Sequence, residues 1–241
     1  TFFETSGFKL HLGKGAAEID RAAKIVTTTA GEKIPYDKLV LATGSYPFVP
    51  PLAGKDRQDC LVYRTIEDLE LMKTAAARGK VGVVVGGGLL GLEAAKALRD
   101  LGLETHVVEF APRLMAVQID DGAGKILRGK IAALGVGIHL GKNTTEIVDG
   151  ETCRHRMNFA DGSHLETDMI LFSAGIRPRD ELARSSGLTV GARGGVEIDN
   201  DCRTSDPDIY AIGECALWSG RIYGLVAPGY QMAETAAHAL I

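Results

Sequence analysis

The residues with the clearest chemical meaning are three glycines and one acid near the middle of the chain. Gly86, Gly88 and Gly91 form a G-x-G-x-x-G pattern, and Glu109 follows them. In a dinucleotide site the first glycine permits a tight turn, the second lets the backbone approach the pyrophosphate, and the third lets a helix lie close to its strand. A carboxylate in the position of Glu109 can accept hydrogen bonds from both ribose hydroxyls of an adenosine. This spacing predicts a dinucleotide site.

The same acid indicates which nicotinamide dinucleotide is preferred. The negative charge of Glu109 repels a 2′-phosphate, and sites for NADP usually place an arginine beside this position. Here the next residue is Phe110, and the nearest arginine after it is Arg113, beyond Pro112. We therefore expect NADH to be preferred over NADPH.

The elements around the glycines have the order that such a site requires. Residues 81–85 are an apolar run of strand length, residues 89–101 have a helical pattern, and residues 105–108 form a second β-rich run that ends at Glu109. The free amides and the partial positive charge of the helix N-terminus favour phosphate binding. A strand, a helix and a second strand with a terminal acid make the glycine pattern far more specific than it is alone.

The rest of the chain alternates between predicted strands and helices. Residues 39–42 and 209–212 are short apolar runs, read as buried strands, that end at Thr43-Gly44 and at Gly213-Glu214. Asp161-Gly162 predicts a hairpin. Further strands are predicted at residues 16–20, 25–29, 33–36, 136–140, 144–148, 157–160, 164–166, 168–173 and 195–199, and further helices at 66–78, 120–134 and 228–241.

Composition and charge exclude several classes of protein. The net charge is −4, with 45% hydrophobic and 24% charged residues, which gives no reason to expect nucleic acid or an anionic membrane as a partner. No apolar run has the length of a membrane helix, and the stretch that begins at Thr1 lacks the pattern of a signal peptide. We expect a cytoplasmic protein.

The cysteines and histidines do not predict a metal site. The four cysteines are widely separated, which argues against zinc, a cysteine-ligated iron–sulfur cluster and a redox-active dithiol. The six histidines are scattered. Cys153 and His155 are close in sequence, but no second pair completes a set of four ligands.

Three stretches together resemble one family. They are LATG at residues 41–44, GGGLLGLE at 86–93 and TSDPDIYAIGE at 204–214, and they resemble the pyridine nucleotide–disulfide oxidoreductase superfamily of FAD and NAD(P)H flavoproteins. The resemblance implies an α/β fold in which a Rossmann-type NAD-binding domain with three layers, ββα, is inserted in a partial FAD-binding domain. The corresponding segments are 1–77 and 190–241 for FAD and 78–189 for NAD.

Two features depart from the family pattern. The family begins with its own βαβ unit for the ADP part of FAD, and no such unit precedes Thr1, so we expect a partial FAD-binding domain. The late motif of the family usually ends in Gly-Asp, whereas this chain has Gly213-Glu214. Glutamate keeps the acceptor but is one methylene longer.

The resemblance assigns cofactor-binding residues and names no catalytic side chain, because the cofactors carry the chemistry. It assigns NADH to Gly86, Gly88, Leu89, Leu90, Gly91, Glu93, Glu109 and Gly175, and FAD to Thr43, Gly44, Arg64, Gly213 and Glu214. Other interpretations stay open for four of these residues. Glu93 can be a solvated helix residue, Arg64 a surface residue at a helix start, and Thr43-Gly44 a simple turn at a strand end.

A finer resemblance concerns the electron acceptor. TGSYPFVPP, YRTIEDL, LGLETHVVEFAPRLMA, FSAGIRPRDELA and YAIGECA are similar to the flavoprotein part of the large subunits of bacterial NADH-dependent nitrite reductases. That family transfers hydride from NADH to FAD and then single electrons to downstream iron–sulfur and sirohaem modules, which reduce nitrite to ammonia. It also implies a small subunit and allows a homodimer.

Three different functions compete with that interpretation. A stand-alone ferredoxin or rubredoxin reductase and an NADH oxidase belong to the same superfamily. The third is an NAD-binding module without turnover.

Overall fold

The computed structural model describes residues 7–241. Residues 1–6, which belong to the predicted segment 1–77 and to the stretch without a signal-peptide pattern, lie outside the described residues. The strands are, in chain order, β1 (Ala16–Asp20), β2 (Ile25–Thr28), β3 (Lys33–Pro35), β4 (Leu39–Leu41), β5 (Ser45–Pro47), β6 (Cys60–Val62), β7 (Val81–Val85), β8 (Glu104–Glu109), β9 (Gly137–Leu140), β10 (Thr144–Asp149), β11 (His155–Phe159), β12 (His164–Thr167), β13 (Met169–Phe172), β14 (Ile176–Pro178), β15 (Val196–Ile198), β16 (Ile209–Ala211) and β17 (Ala216–Trp218). The α-helices are α1 (Ile66–Ala76), α2 (Leu89–Asp100), α3 (Asp121–Ala133), α4 (Glu181–Ser185) and α5 (Val226–Leu240), and Gly213–Cys215 is a 3-10 turn.

The chain packs as two compact units. The central unit is Pro47–Ile176, and the flanking unit combines the chain up to Tyr46 with Arg177–Ile241. These limits differ from the predicted boundaries at 77/78 and 189/190. The physical reason is that β6 pairs with β13 and α1 buries Met72 in the core around β7, whereas Ala183 of α4 packs in the core of the flanking unit.

The central unit consists of three layers. Its middle layer is a parallel five-stranded sheet in the order β6-β13-β7-β8-β9. One face packs against α1 and α2 through residues such as Val84 and Val107, and the other packs against the antiparallel sheet β10-β11-β12 through residues such as Val83 and Val108. Because both faces are covered, β7 is a continuous apolar run, as the sequence predicted.

The flanking unit contains small sheets around its own core. β1, β2 and β3 form an antiparallel meander, β4 pairs in parallel with β16, and β15 pairs in parallel with β17. Leu41 and Ile209 are buried in the core of this unit, together with Val196. The pairing of β4 with β16 brings the turns after these two strands to the same edge.

Most predicted elements are present with shifts of one or two residues at their ends. The hairpin predicted at Asp161-Gly162 is formed by β11 and β12. The short strands β5, β6, β14 and β17 and the short helix α4 were not predicted. No helix in the described part of the chain is long and apolar enough to span a membrane.

Candidate functional site

The glycine turn joins β7 to α2 and requires glycine at its first and last positions. Gly86 has φ +119°, and a Cβ built there would lie 2.3 Å from the carbonyl oxygen of Ser173. A Cβ on Gly91 would lie 1.9 Å from the carbonyl oxygen of Gly86. Both positions therefore allow a close approach of backbones, as the pattern predicted from sequence.

The middle glycine of the pattern has a different surrounding. A Cβ on Gly88 would meet nothing within 4 Å, so this residue faces open space. Gly88 is the N-cap of α2, and no side chain of the described residues makes a capping hydrogen bond there. Leu89 and Leu90 in the first turn are 48% and 40% exposed. The start of α2 thus presents free amides and positive dipole charge to a space that can hold a phosphate.

Glu109 lies beside this turn and is held by two backbone amides. Its Oε2 accepts a hydrogen bond from the N–H of Gly87 at 2.5 Å, and its Oε1 accepts one from the N–H of Ala111 at 2.7 Å. The carboxylate is half-buried at the carboxyl end of β8. Each carboxylate oxygen can accept more than one hydrogen bond, so ribose hydroxyls can still bind there.

Four neighbouring parallel strands end at the same edge of the central sheet. Phe172 is in register with both Val62 and Val85, and Val85 is in register with Val108. The residues that follow these strands are therefore gathered at one edge, which is where open α/β sheets bind ligands. They are Arg64 after β6, Ser173 and Gly175 after β13, the glycine turn after β7 and Glu109 at the end of β8.

Ser173 was not predicted as a site residue, and it has an unusual hydroxyl. Its Oγ is buried, and it is the only such side-chain atom in the described part of the chain without a hydrogen-bond partner. An unpaired buried hydroxyl costs about 1–3 kcal/mol, so few such atoms occur in a folded protein. The one found here follows β13, next to the glycine turn.

The other predicted residues of the central unit lie in exposed positions. Gly175 has φ +110°, and a Cβ there would meet nothing within 4 Å. Glu93 is exposed on α2, one turn beyond the leucines. Arg64 is also exposed, and its backbone N–H donates to Oδ2 of Asp68, whose side chain caps α1.

A second group of predicted residues lies in the flanking unit. Thr43 and Gly44 follow β4, and Gly213 and Glu214 follow β16, which is in register with β4. Gly44 and Gly213 have φ values of +70° and +72°, and a Cβ on either would meet nothing within 4 Å. Ser45, which the sequence did not single out, donates its hydroxyl to Oε2 of Glu214 at 2.8 Å. This contact fixes the longer glutamate side chain that replaces the usual aspartate.

A cavity of about 570 Å³ lies beside Thr43 in the flanking unit. Its lining includes Tyr46, Arg179 and Glu181, which interact with one another. The guanidinium of Arg179 lies 4.4 Å from the ring centre of Tyr46, and a hydrogen bond to Glu181 raises the pKa of Tyr46. The hydroxyl of Thr43 donates to the carbonyl of Arg179 at 2.6 Å. The cavity therefore has an ordered polar wall.

Thiols and metal ligands do not form a site in residues 7–241. No group of three histidine, cysteine, aspartate or glutamate residues in this range is arranged to hold a metal ion. All four cysteines are free, and burial raises the pKa of Cys60 to about 11. A thiol with such a raised pKa is a poor nucleophile at neutral pH.

Comparison with known proteins finds a family model and curated relatives that match this chain. The family model described as pyridine nucleotide-disulphide oxidoreductase matches residues 3–239. The chain is 62% identical to the nitrite reductase [NAD(P)H] large subunit of Klebsiella oxytoca over 239 residues, which are 99% of this chain and 25% of that protein. It is 58% identical to the nitrite reductase (NADH) large subunit of Escherichia coli K12 over 236 residues, 98% of this chain and 28% of that protein. The chain thus spans about a quarter of the length of these relatives.

A solved structure has the same fold. A ferredoxin reductase for the CYP199A2 system of Rhodopseudomonas palustris superposes with a TM-score of 0.92 at 31% identity. The superposition covers 99% of this chain and 60% of that chain. The predicted fold class is confirmed: the chain has the mixed α/β fold of the FAD and NAD reductases.

Proposed function

The chain belongs to the pyridine nucleotide–disulphide oxidoreductase family, and from this premise we propose that it is the NADH:FAD electron-input part of an NADH-dependent nitrite reductase. The single observation that carries the proposal is the edge of the central sheet where the start of α2 and the carboxylate of Glu109 meet. A positive helix end beside a ribose acceptor suits a dinucleotide with a free 2′-hydroxyl. The relatives from Klebsiella and Escherichia supply the nitrite reductase part of the proposal.

In this proposal the central unit holds NADH. The amides at the start of α2 bind the pyrophosphate, and Gly88 leaves room for it because it has no side chain. Glu109 accepts the hydroxyls of the adenosine ribose, and its charge repels a 2′-phosphate. Leu89, Leu90, Glu93 and Gly175 border the remaining part of the dinucleotide.

The flanking unit contributes to an FAD site. Gly44 and Gly213 are open at the edge of the β4–β16 pair, and Ser45 fixes Glu214 as an acceptor for hydroxyls of the cofactor. Thr43 completes the proposed FAD contacts of this unit, and Arg64, in the central unit, is proposed separately as an FAD contact. When bound, FAD can accept a hydride and release electrons one at a time. The residues of this chain bind and orient the cofactors, and none is assigned as a general acid or base.

The whole reductase extends beyond this chain in the proposal. Electrons pass onward to iron–sulfur and sirohaem modules and to a small subunit, and the protein works in the reducing cytoplasm, where free cysteines such as those found here are stable. A homodimer is part of the same proposal.

The likeness to a ferredoxin reductase supports a second candidate, a stand-alone reductase of a small iron–sulfur protein. An NADH oxidase and a binding module without turnover are the third and fourth candidates.

Flavin retention tests the proposal directly. The purified chain is incubated with FAD, freed of unbound flavin, and scanned before and after anaerobic addition of NADH. We expect a flavin band that NADH bleaches. The variant Glu214→Gln should retain less flavin, whereas Glu234→Gln, on the exposed side of α5, serves as the matched control.

Two results would count against the proposal. A chain that binds NADH but retains no flavin would favour the binding module. Rapid turnover with a ferredoxin as acceptor would favour the stand-alone reductase.

A further inference from the structure

Arg113 is the arginine that follows Glu109 most closely in the sequence, so it is the first candidate for an arginine that binds a 2′-phosphate. We propose instead that Arg113 is a positioning residue: it folds the loop of residues 110–120 against the glycine turn and so fixes the carboxylate of Glu109 for the ribose of NADH. The inference rests on the proposed NADH site and deepens it, since it names what sets the preference between NADH and NADPH.

The guanidinium of Arg113 is occupied inside its own loop and at the first residue of α3. Its Nε donates to the carbonyl of Ile119 at 3.1 Å, Nη2 donates to the carbonyl of Ala116 at 2.9 Å, and Nη1 donates to Oδ1 of Asp121 at 2.8 Å. All three nitrogens are therefore engaged. The aliphatic part lies on Gly124, where a Cβ would come within 3.2 Å of Cδ of Arg113. This arginine organises the loop from within.

The loop that Arg113 organises packs against the glycine turn. Leu114 is fully buried in the core on the helix side of the central sheet. The N–H of Met115 donates to the carbonyl of Gly87 at 2.8 Å. Met115 has φ +47°, a conformation that costs a non-glycine residue free energy and persists only where surrounding contacts hold it. A Cβ on Gly87 would lie 2.7 Å from Cδ2 of Leu114, so the contact is close.

The backbone of Gly87 connects the loop of residues 110–120 to the side chain of Glu109. Both polar groups of the Gly87 backbone are used, the carbonyl by Met115 and the N–H by Oε2 of Glu109. The other carboxylate oxygen, Oε1, is held by the N–H of Ala111 at the start of the same loop. Each hydrogen bond that holds Glu109 thus depends on the loop that Arg113 closes. Gly87 has a physical reason of its own to be glycine, because a Cβ there would lie 2.7 Å from Leu114 and 3.1 Å from Oε2 of Glu109.

The two roles of Arg113 predict opposite effects of its removal. If Arg113 positions Glu109, Arg113→Gln leaves the carboxylate of Glu109 misplaced, so its charge-assisted hydrogen bonds to the ribose are weakened. NADH binding then weakens by about tenfold, and NADPH binding weakens less. The ratio of the two dissociation constants then moves toward one. If Arg113 binds a 2′-phosphate, the same variant weakens NADPH binding alone and the ratio moves further from one.

The experiment measures both dissociation constants by titration of the purified chain with NADH and with NADPH. Arg113→Lys keeps the charge but cannot form the same fork of hydrogen bonds, so we expect it to behave like Arg113→Gln. Arg128→Gln removes a charge from the exposed side of α3 and serves as the matched control. Asp121→Asn removes the charge of one partner of Arg113 while the arginine stays, and it should shift the ratio in the same direction by a smaller factor.

The melting temperature of each variant separates a binding effect from loss of folding, and Asp121→Asn provides the test if Arg113→Gln does not fold. An unchanged ratio in folded Arg113→Gln, or a selective loss of NADPH binding, would overturn the inference. Failure of the unaltered chain to bind either dinucleotide would instead overturn the proposed function.

Discussion

Glu109 shows at the scale of single residues how one carboxylate can serve structure and recognition together. Two backbone amides fix its oxygens beside the glycine turn, and each oxygen can still accept a further hydrogen bond from a ribose hydroxyl. The sequence predicted Glu109 as the acceptor because of its place after the second strand. The amide of Gly87 that holds it could not be predicted, because that contact depends on how the loop of residues 110–120 folds back.

Replacing Glu109 tests its role in recognition. Glu109→Gln keeps the size of the side chain but removes its charge, so NADH affinity should fall by roughly tenfold or more, the value of hydrogen bonds to a charged acceptor. NADPH affinity should fall less, because repulsion of the 2′-phosphate is also removed. Isothermal titration gives both affinities. Glu104→Gln, at the exposed opposite end of β8, should change neither, and equal losses in both variants would contradict the assignment.

Ser173 permits a test of whether its buried hydroxyl contributes to stability. Ser173→Ala removes a buried hydroxyl that has no partner, so the free energy of unfolding should stay constant or rise by up to about 1 kcal/mol. Thr167→Val removes a buried hydroxyl that donates to the carbonyl of Met169 at 2.8 Å, and it should lose about 1 kcal/mol. Urea unfolding measures both. A larger loss for Ser173→Ala than for Thr167→Val would mean that Ser173 has a structural partner after all.

At the scale of elements, the junction of β7 and α2 is the part of the molecule that the sequence described best. The limits of β7 coincide with the prediction, and α2 ends one residue before the predicted end. Periodic apolar residues carry that information locally. The short strands β6 and β14 were missed because three residues show no period, and their pairing depends on contacts with distant parts of the chain.

Alanine at two glycines of this junction should separate folding from binding. Gly91→Ala drives a Cβ to 1.9 Å from the carbonyl oxygen of Gly86, so α2 must move and the central unit should lose about 3 kcal/mol or more. Gly88→Ala points its Cβ into open space and should cost less than about 1 kcal/mol, yet it should abolish NADH binding by filling the space of the pyrophosphate. Thermal melts and NADH titrations give both quantities. Unimpaired NADH binding by Gly88→Ala would place the nucleotide elsewhere.

Two histidines, the buried His155 and the half-buried His139, should make the stability of the central unit depend on pH. Burial lowers the pKa of His139 on β9 and of His155 on β11 below the ordinary value of 6.5, and the charges of His106 and Lys142 add to the effect at His139. Below about pH 6.5 the two histidines are protonated in the unfolded chain but stay neutral in the folded chain. The free energy of unfolding therefore falls as the pH drops, by up to about 1.4 kcal/mol per pH unit for each histidine.

Chemical denaturation between pH 7.5 and pH 5 measures this slope. The variants His139→Gln and His155→Gln should each reduce it, whereas His164→Gln, at an exposed position, should leave it unchanged. A slope that persists in the double variant of His139 and His155 would assign it to other groups.

At the scale of the whole molecule, each compact unit carries its own group of proposed cofactor contacts. The central unit carries the glycine turn and Glu109, and the flanking unit carries Thr43, Gly44 and the Ser45–Glu214 pair. The family and the three-layer unit followed from motifs spread along the chain. The limits of the units did not, because β6 and α1 join the central sheet through packing that local sequence does not encode.

The most direct test of this account is equilibrium titration of the purified chain with NADH and with NADPH, followed by the fluorescence of the reduced nicotinamide. The account predicts saturable binding of NADH at one site, competition by ADP-ribose, and an affinity for NADPH at least about tenfold weaker, since one repelled phosphate beside Glu109 is worth more than about 1.4 kcal/mol. Absence of NADH binding, or equal affinity for the two dinucleotides, would contradict the claim that the glycine turn and Glu109 form an NADH site.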